Sequence, residues 1–399
     1  MALSMRKQLI FARLESDANH TITAMAATDG ILCSAPTLSP LEGSSVSRDF
    51  IRQYYGNSGE IRVENFVKVD FETELAPNAV GTASPLWDKL LLACNFFKTA
   101  ATGTDLVGGT TTTGSTTTSI ALAATGSPNA TTVDYYKGAV IFIGGEARVI
   151  TAYDQTTKTV TITDPLSTAP ASGVSVAINF ADTYAPISSI TWGQSATTSQ
   201  ALTIYFQIDG VRHAMQGARG TFSVDMSAKK IPKIKWSFTG LHVDPAAISD
   251  INGTFAGWGV PVATSTQNTR NVSLLSTAIS TGIETLTFDI ANDVKHRQLI
   301  GSESVLITDR KPKAAISFET GTAASVATWF ANAKAGLSGG FSFYHGNTPG
   351  GCFGFSFPNV QVMNPKYSDS DSVAMISFDL NVMPTLSGTG NDEFVLSIF

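Results

Sequence analysis

The sequence predicts a mainly β chain: two strand–helix–strand units in tandem, with a small all-β domain inserted into the first. Three observations carry this: runs of alternating polarity, only two helical stretches with caps, and one order of pieces that occurs twice. The chain has 399 residues, enough for two or three domains at about 100–200 residues each.

Residues 67–75 set the pattern. Val67, Val69, Phe71, Thr73 and Leu75 share one face, and Lys68, Asp70, Glu72 and Glu74 share the other. Period two with one wet face predicts a half-buried antiparallel strand. Residues 201–208, 233–241, 314–320 and 374–382 read the same way. The first helical stretch opens at Ser84-Pro85, an N-cap and N1 pair, and carries Leu86, Trp87, Leu90, Leu91, Cys94 and Phe97 as an apolar stripe. The second covers about 324–335, with Val326, Trp329, Phe330 and Ala333 at helical spacing and Gly336 at C′.

These pieces repeat. Phe71-Glu72-Thr73 precedes the Trp87 helix, and Phe318-Glu319-Thr320 precedes the Trp329 helix. A strand ending in a turn glycine follows each helix, at 204–210 and 341–346, and then a closing strand with Ile234, Trp236 and Phe238 or Ala374, Ile376 and Phe378 on one face. Val46-Ser47-Arg48 corresponds loosely to Val294-Lys295-His296-Arg297. One difference separates the copies. The first carries an extra stretch that opens with a Thr-rich tract at 110–118, read as flexible and outside any core, and continues as short strands at 138–144, 147–153, 159–163 and 174–180. The expected division is an N-terminal arm with strands at 1–45, a first unit at 46–103 and 187–245, an inserted β domain at 104–186, a linker at 246–270 and a second unit at 271–399.

Composition narrows the function. Charged residues are only 15% against 43% apolar, a low-charge surface that suits a protein meeting copies of itself. A net charge of −6 argues against a whole-chain cationic binder of nucleic acid or anionic membrane. No signal-like apolar segment follows Met1, and no window approaches a bilayer-spanning length, so synthesis in a cytoplasm and no membrane partner are expected. Cys33, Cys94 and Cys352 are too far apart for a zinc ribbon or disulfide framework.

The search for chemistry assigns no catalytic, cofactor-binding or metal-binding residue. Phosphate-loop and zinc-protease motifs are missing, and the run 193–197 fails the nucleophile-elbow pattern at Thr197. His20, His213, His242, His296 and His345 lack metal-ligand spacing, and Cys94 and Cys352 read as small core residues. Asp70, Glu72 and Glu74 read as a solvated or inter-subunit face rather than an acid/base pair. The basic cluster Lys229, Lys230, Lys233 and Lys235 is the best candidate for phosphate contact, with edge-strand protection as the simpler reading. The run 309–313 reads as a turn or contact loop.

Several extended stretches resemble the tail tube proteins of tailed bacteriophages. They are Ser47-Arg48-Asp49-Phe50 with Tyr55-Gly56-Asn57-Ser58, the runs 217–222, 231–241 and 363–369, Asn292-Asp293-Val294, and the long run 297–312, which is the most specific. The resemblance covers roughly 41–103 and 188–384; the Thr-rich insert falls outside it and resembles add-on β domains of phage structural proteins. It implies β-sandwich or barrel units with a flanking helix, in a structural virion protein whose rings stack into a hollow tube, the conduit for DNA ejection. Implied partners are the chain itself, a tape-measure protein in the lumen, tail-tip or baseplate and terminator proteins at the ends, and viral DNA in transit without specific binding. Two units per chain and six places per ring give a homotrimeric ring with pseudo-sixfold symmetry, a homohexamer being the alternative. The rival readings are a capsid or head decoration protein, a β-rich adhesin or carbohydrate-binding module, and a tailspike-like glycosidase.

Overall fold

The computed structural model describes residues 3–22, 24–79, 84–101, 103–123, 131–162, 165–195, 197–275, 277–385 and 390–399. The fold is mainly β, with multiple antiparallel sheets. Among the described residues there are two α-helices, Asp88–Leu92 and Ala323–Lys334. Thr163 and Ala196, within two of the runs read from sequence, lie outside the described residues.

One pairing order occurs twice. In the first half, Gln8–Leu14 pairs with Leu202–Ile208, then come Val211–Ser227, Lys233–Ala247, Phe66–Glu74 and Ser34–Glu42, each beside the last. In the second, Thr269–Leu274 pairs with Ser338–His345, followed by Phe353–Ser370, Val373–Val382, Lys313–Glu319 and Ile283–Asp289. Strands 8–14 and 34–42 are therefore integral to the first unit rather than a separate arm.

The two halves meet edge to edge. Residues 223–227 pair with 285–289, which makes one continuous antiparallel sheet of eight strands from Ser34–Glu42 to Phe353–Ser370. Alternation sets its faces as the sequence predicts: Val67, Val69, Phe71, Trp236, Phe238, Phe222, Phe288, Ile316, Phe318 and Phe378 are buried in one core. Trp236 donates its indole N–H to Thr73 Oγ1 at 2.9 Å, which satisfies the one hydroxyl on that buried row. Trp329 meets Phe318 and Phe378 with ring centroids 5.6 and 5.8 Å away.

The helices differ from expectation unequally. The second matches, with Thr322 Oγ1 accepting from the Ser325 amide at 3.2 Å and Gly336 at φ +61° after its end. The first is a single turn. Asn95 takes φ +61° and ends it, and Phe97 lies in strand Phe96–Thr99. Ser84 does not cap; its hydroxyl donates to Asp182 Oδ2 at 3.2 Å.

The insert is a six-stranded sheet with its own core around Tyr136, Ile141, Tyr153 and Ile178. Two corrections follow. The Thr-rich tract is not a free linker: Thr111 is 2% exposed and its hydroxyl accepts from the Val174 amide at 3.0 Å. Strand Asp182–Pro186 belongs to the body, where it lies between Phe96–Thr99 and Val395–Ile398. Thr99 and Thr183 are thus register partners, and the insert replaces the turn of a hairpin. Its outer face, with Val140, Phe142 and Ala147, packs on Cys352 and Phe399 of the body.

Replacing residues 103–180 by a turn of about four Gly/Ser residues should therefore leave a soluble, cooperatively folding body. The melting temperature should fall by several degrees as Phe399 and Tyr344 lose their cover. An insoluble or non-cooperative product would make the insert part of the folding core.

Candidate assembly interface

The residues weighed for chemistry are scattered. Cys94 and Cys352 are buried, and desolvation pushes the Cys352 thiol up to about 12 and the Cys94 thiol well above its ordinary value. Cys33, half-buried, is pushed up to about 11 by the same cause. These thiols stay protonated and weakly nucleophilic near neutral pH. His296 lies between Glu64 Oε1 at 2.8 Å and Glu303 Oε1 at 2.9 Å, and His20 meets Glu15 Oε2 at 2.5 Å. His242 meets the Pro40 carbonyl at 3.1 Å, and His213 is pushed down by burial and by His242. Among the described residues no three His, Cys, Asp or Glu come together as a metal site.

Lys233 and Lys235 do not guard an edge. Their strand is interior, flanked by 66–74 and 211–227, so the edge-protection reading is wrong. They stand on the polar face, where register puts Lys235 opposite Glu72 and Lys233 between Glu74 and Asp225. Lys233 Nζ reaches Glu72 Oε2 at 2.8 Å, which raises the lysine pKa through that hydrogen bond. Asp289 and Lys313 face each other across the next pair of strands, 3.7 Å apart. Signs alternate from strand to strand, so the face has no uncompensated basic stripe.

Besides the pairing of Asp182–Pro186 with Val395–Ile398, the seam between units has two parts. The first is the backbone pairing of 223–227 with 285–289, over which Phe222 meets Phe288 at 6.0 Å. The second is a hairpin, Asn292–Leu299 with Ser302–Arg310, laid across the first unit where strand 211–227 bends at its bulge. Gly217 takes φ +60° there, and the His20 ring lies 3.2 Å from where a Cβ would stand, so only glycine fits easily. Asn292 Nδ2 donates to the Cys94 and Gly220 carbonyls at 2.9 and 3.0 Å. Arg219, 2% exposed, donates to the Val305 carbonyl; burial pulls its pKa down to about 10, with Glu15 opposing. The run 297–312, read from sequence as the most specific stretch, is the outer half of this hairpin, and 309–313 leads from it into the next strand.

Each chain also has two strand edges that correspond by register to the two sides of this seam. Strand Ser34–Glu42 pairs with 66–74 on one side, and among the described residues nothing pairs with its other side. Among the described residues, 363–370 pair only with Val373–Val382, while the Val362 amide also donates to the Leu337 carbonyl at 3.3 Å. Register identifies the equivalents. Phe222 lies opposite Trp236, which lies opposite Phe71; Tyr367 lies opposite Ile376, which lies opposite Phe318. Phe222 is 3% exposed and Tyr367 is 60% exposed, with its ring 5.4 Å from that of Phe330. Sequence reasoning missed this pair because the partner strands are remote along the chain; the shared Phe-Glu-Thr motif was the one signal that could have aligned them.

Comparison of the sequence with family models and with curated proteins finds no match.

His345 supplies a pH test of the second unit. It is 0% exposed, with its ring nitrogens 3.0 Å from Thr269 Oγ1 and 3.2 Å from the Val262 carbonyl. Burial pulls its pKa down to about 4, aided by Arg270 and opposed by the Val262 bond. The fold holds the neutral ring, while the unfolded chain takes up a proton below about 6.5. Stability is thus intact above that value and falls as pH drops toward 4, by up to about 3 kcal/mol. His345→Gln should flatten this part of the melting-temperature profile between pH 7 and 4.5; an unchanged slope would remove His345 as its source.

Proposed function

We propose that the chain is a structural subunit of a bacteriophage tail tube: chains close into rings, and rings stack into the conduit through which DNA leaves the virion. The carrying observation is the seam at 223–227 and 285–289, together with its two unpaired halves at opposite ends of the eight-stranded sheet. A surface whose two halves lie at opposite ends makes heterologous contacts, which close into a ring when the rotation permits. The resemblance of 41–103 and 188–384 to tail tube proteins supports the same reading.

Each unit fills one place, so three chains supply six places around a ring. The balanced polar face suits a lumen: an unbroken row of lysines would hold passing phosphates by counterion release, whereas these lysines face carboxylates. The reading implies a tape-measure protein in the lumen before ejection, tail-tip or baseplate and terminator proteins at the ends, a location in the virion tail, and no enzymatic role.

Electron microscopy of the purified chain tests it. Tubes with three projections per ring are expected, because the insert interrupts only the first unit. Six equivalent projections would mean six chains per ring, and shells or single particles would overturn the tube. Tubes should also release DNA at moderate salt. Tight, salt-sensitive retention that weakens in Lys233→Ala/Lys235→Ala would make the polar face a DNA-binding surface instead.

A further inference from the structure

The hairpin that lies across the seam has a largely exposed counterpart, whose base touches it through Glu64 and His296. Residues 290–312 join strand Ile283–Asp289 to Lys313–Glu319, and residues 43–65 join Ser34–Glu42 to Phe66–Glu74 in the other unit. The two links occupy the same place in the pairing order and are of equal length. Their sequences also correspond: Val294 pairs with Ile307 across one hairpin, and Val46 pairs with Ile61 across the other.

Their environments differ sharply. Ile307 is 5% exposed and its neighbour Val305 1%, both seated on the first unit. Val46 and Ile61 are 55% and 54% exposed, and the strands of that hairpin span Ser45–Ser47 and Glu60–Arg62. The bend that the packed hairpin covers is buried, with Ala218 at 0% and Arg219 at 2% exposed. The corresponding strand of the second unit also bends at a bulge, where Asn364 takes φ +49°. Nothing in the chain covers that bend among the described residues: Asn364 and Lys366 are exposed, and Met363 is 36% exposed. One chain therefore carries an uncovered clasp in its first unit and an uncovered seat in its second.

We infer that residues 43–65 lie across the Asn364 bend of a second copy of this chain, with Val46 and Ile61 buried there as Ile307 is buried within the chain. The occupant is a copy of the chain because the seat already has its ligand's counterpart inside the molecule, in the same register. The clasp cannot reach its own second unit by the same geometry: the in-chain seam is already filled by residues 290–312. This inference rests on the ring reading, since it needs a neighbour whose free edge meets strand Ser34–Glu42.

Burial of these apolar side chains contributes to the contact in proportion to the area covered. Val46→Asp/Ile61→Asp should fold normally, because both positions are exposed in the single chain, yet raise the concentration needed for assembly at least about tenfold. A photo-crosslinking residue at position 61 of the full-length chain, in an equal mixture of isotopically heavy and light protein, locates the contact. Mixed heavy–light crosslinks to residues 358–370 are expected. Tubes or rings whose position 61 crosslinks elsewhere, or only within one chain, overturn the clasp and leave the tube standing. A chain that stays monomeric at every concentration overturns both. Unimpaired assembly of the double Asp variant also overturns the clasp.

Discussion

Strand Val211–Ser227 is the constraint on which the rest depends. Its first part pairs with Leu202–Ile208 and with the far end of Lys233–Ala247, and its last part pairs with Lys233–Ala247 and Ile283–Asp289 together. The bulge between Gln216 and Arg219 lets one strand change direction between these duties. Because backbone groups buried in a sheet must be paired, residues 223–227 fix where the second unit sits. Phe222 then seals the join: it touches Phe96, Trp236 and Phe288, which come from both halves of the chain.

An edge left open is ordinarily a hazard, and soluble proteins blunt it with charge, proline or a covering loop. Ser34–Glu42 carries two prolines, Pro36 and Pro40, and breaks register twice against its partner, which limits how it can pair at random. At the other edge, residues 362–370 carry Pro365, Lys366 and Asp369 beside the exposed Tyr367. These edges are therefore guarded without being closed. A flat apolar edge would accept many partners, whereas broken and charged edges favour one register.

The local order of the fold was legible in the sequence, and its long-range closure was not. Alternation fixed the faces of 67–75 and 233–238, and the capped spacing of 324–335 fixed a helix, because each pattern is complete within a few turns of chain. The first helix was read too long because an apolar stripe continues through Cys94 to Phe97. Asn95 breaks it in the left-handed region, and its Nδ2 donates to the Ser189 carbonyl at 3.0 Å. Asp182–Pro186 was assigned to the insert because its partners, 96–99 and 395–398, are remote in the chain. Lys233 and Lys235 looked like edge residues because alternation reports a wet face and is silent on how many neighbours a strand has. The correspondence of the two edges was hidden for the same reason: Phe222 and Tyr367 are both aromatic residues in strands, and only register makes them equivalents.

Two units in one chain would change how the proposed ring forms. When each unit is a separate protein, every seam must be found by diffusion and carries the entropy cost of association. Residues 248–268 tether the units, so in the proposed ring alternate seams would form during folding at the high effective concentration a short connection gives. The linker is itself anchored: Trp258 packs against the core, and the Gly259 amide donates to the Pro77 carbonyl at 2.9 Å. The joined pair also escapes exact symmetry. One unit carries the insert on the hairpin of Phe96–Thr99 and Asp182–Pro186, while in the other the helix Ala323–Lys334 runs almost directly into Ser338–His345. In the proposed ring only the intermolecular seams would need to be reversible, and the intramolecular one, with Phe222 at 3% exposure against Tyr367 at 60%, is free to bury deeply.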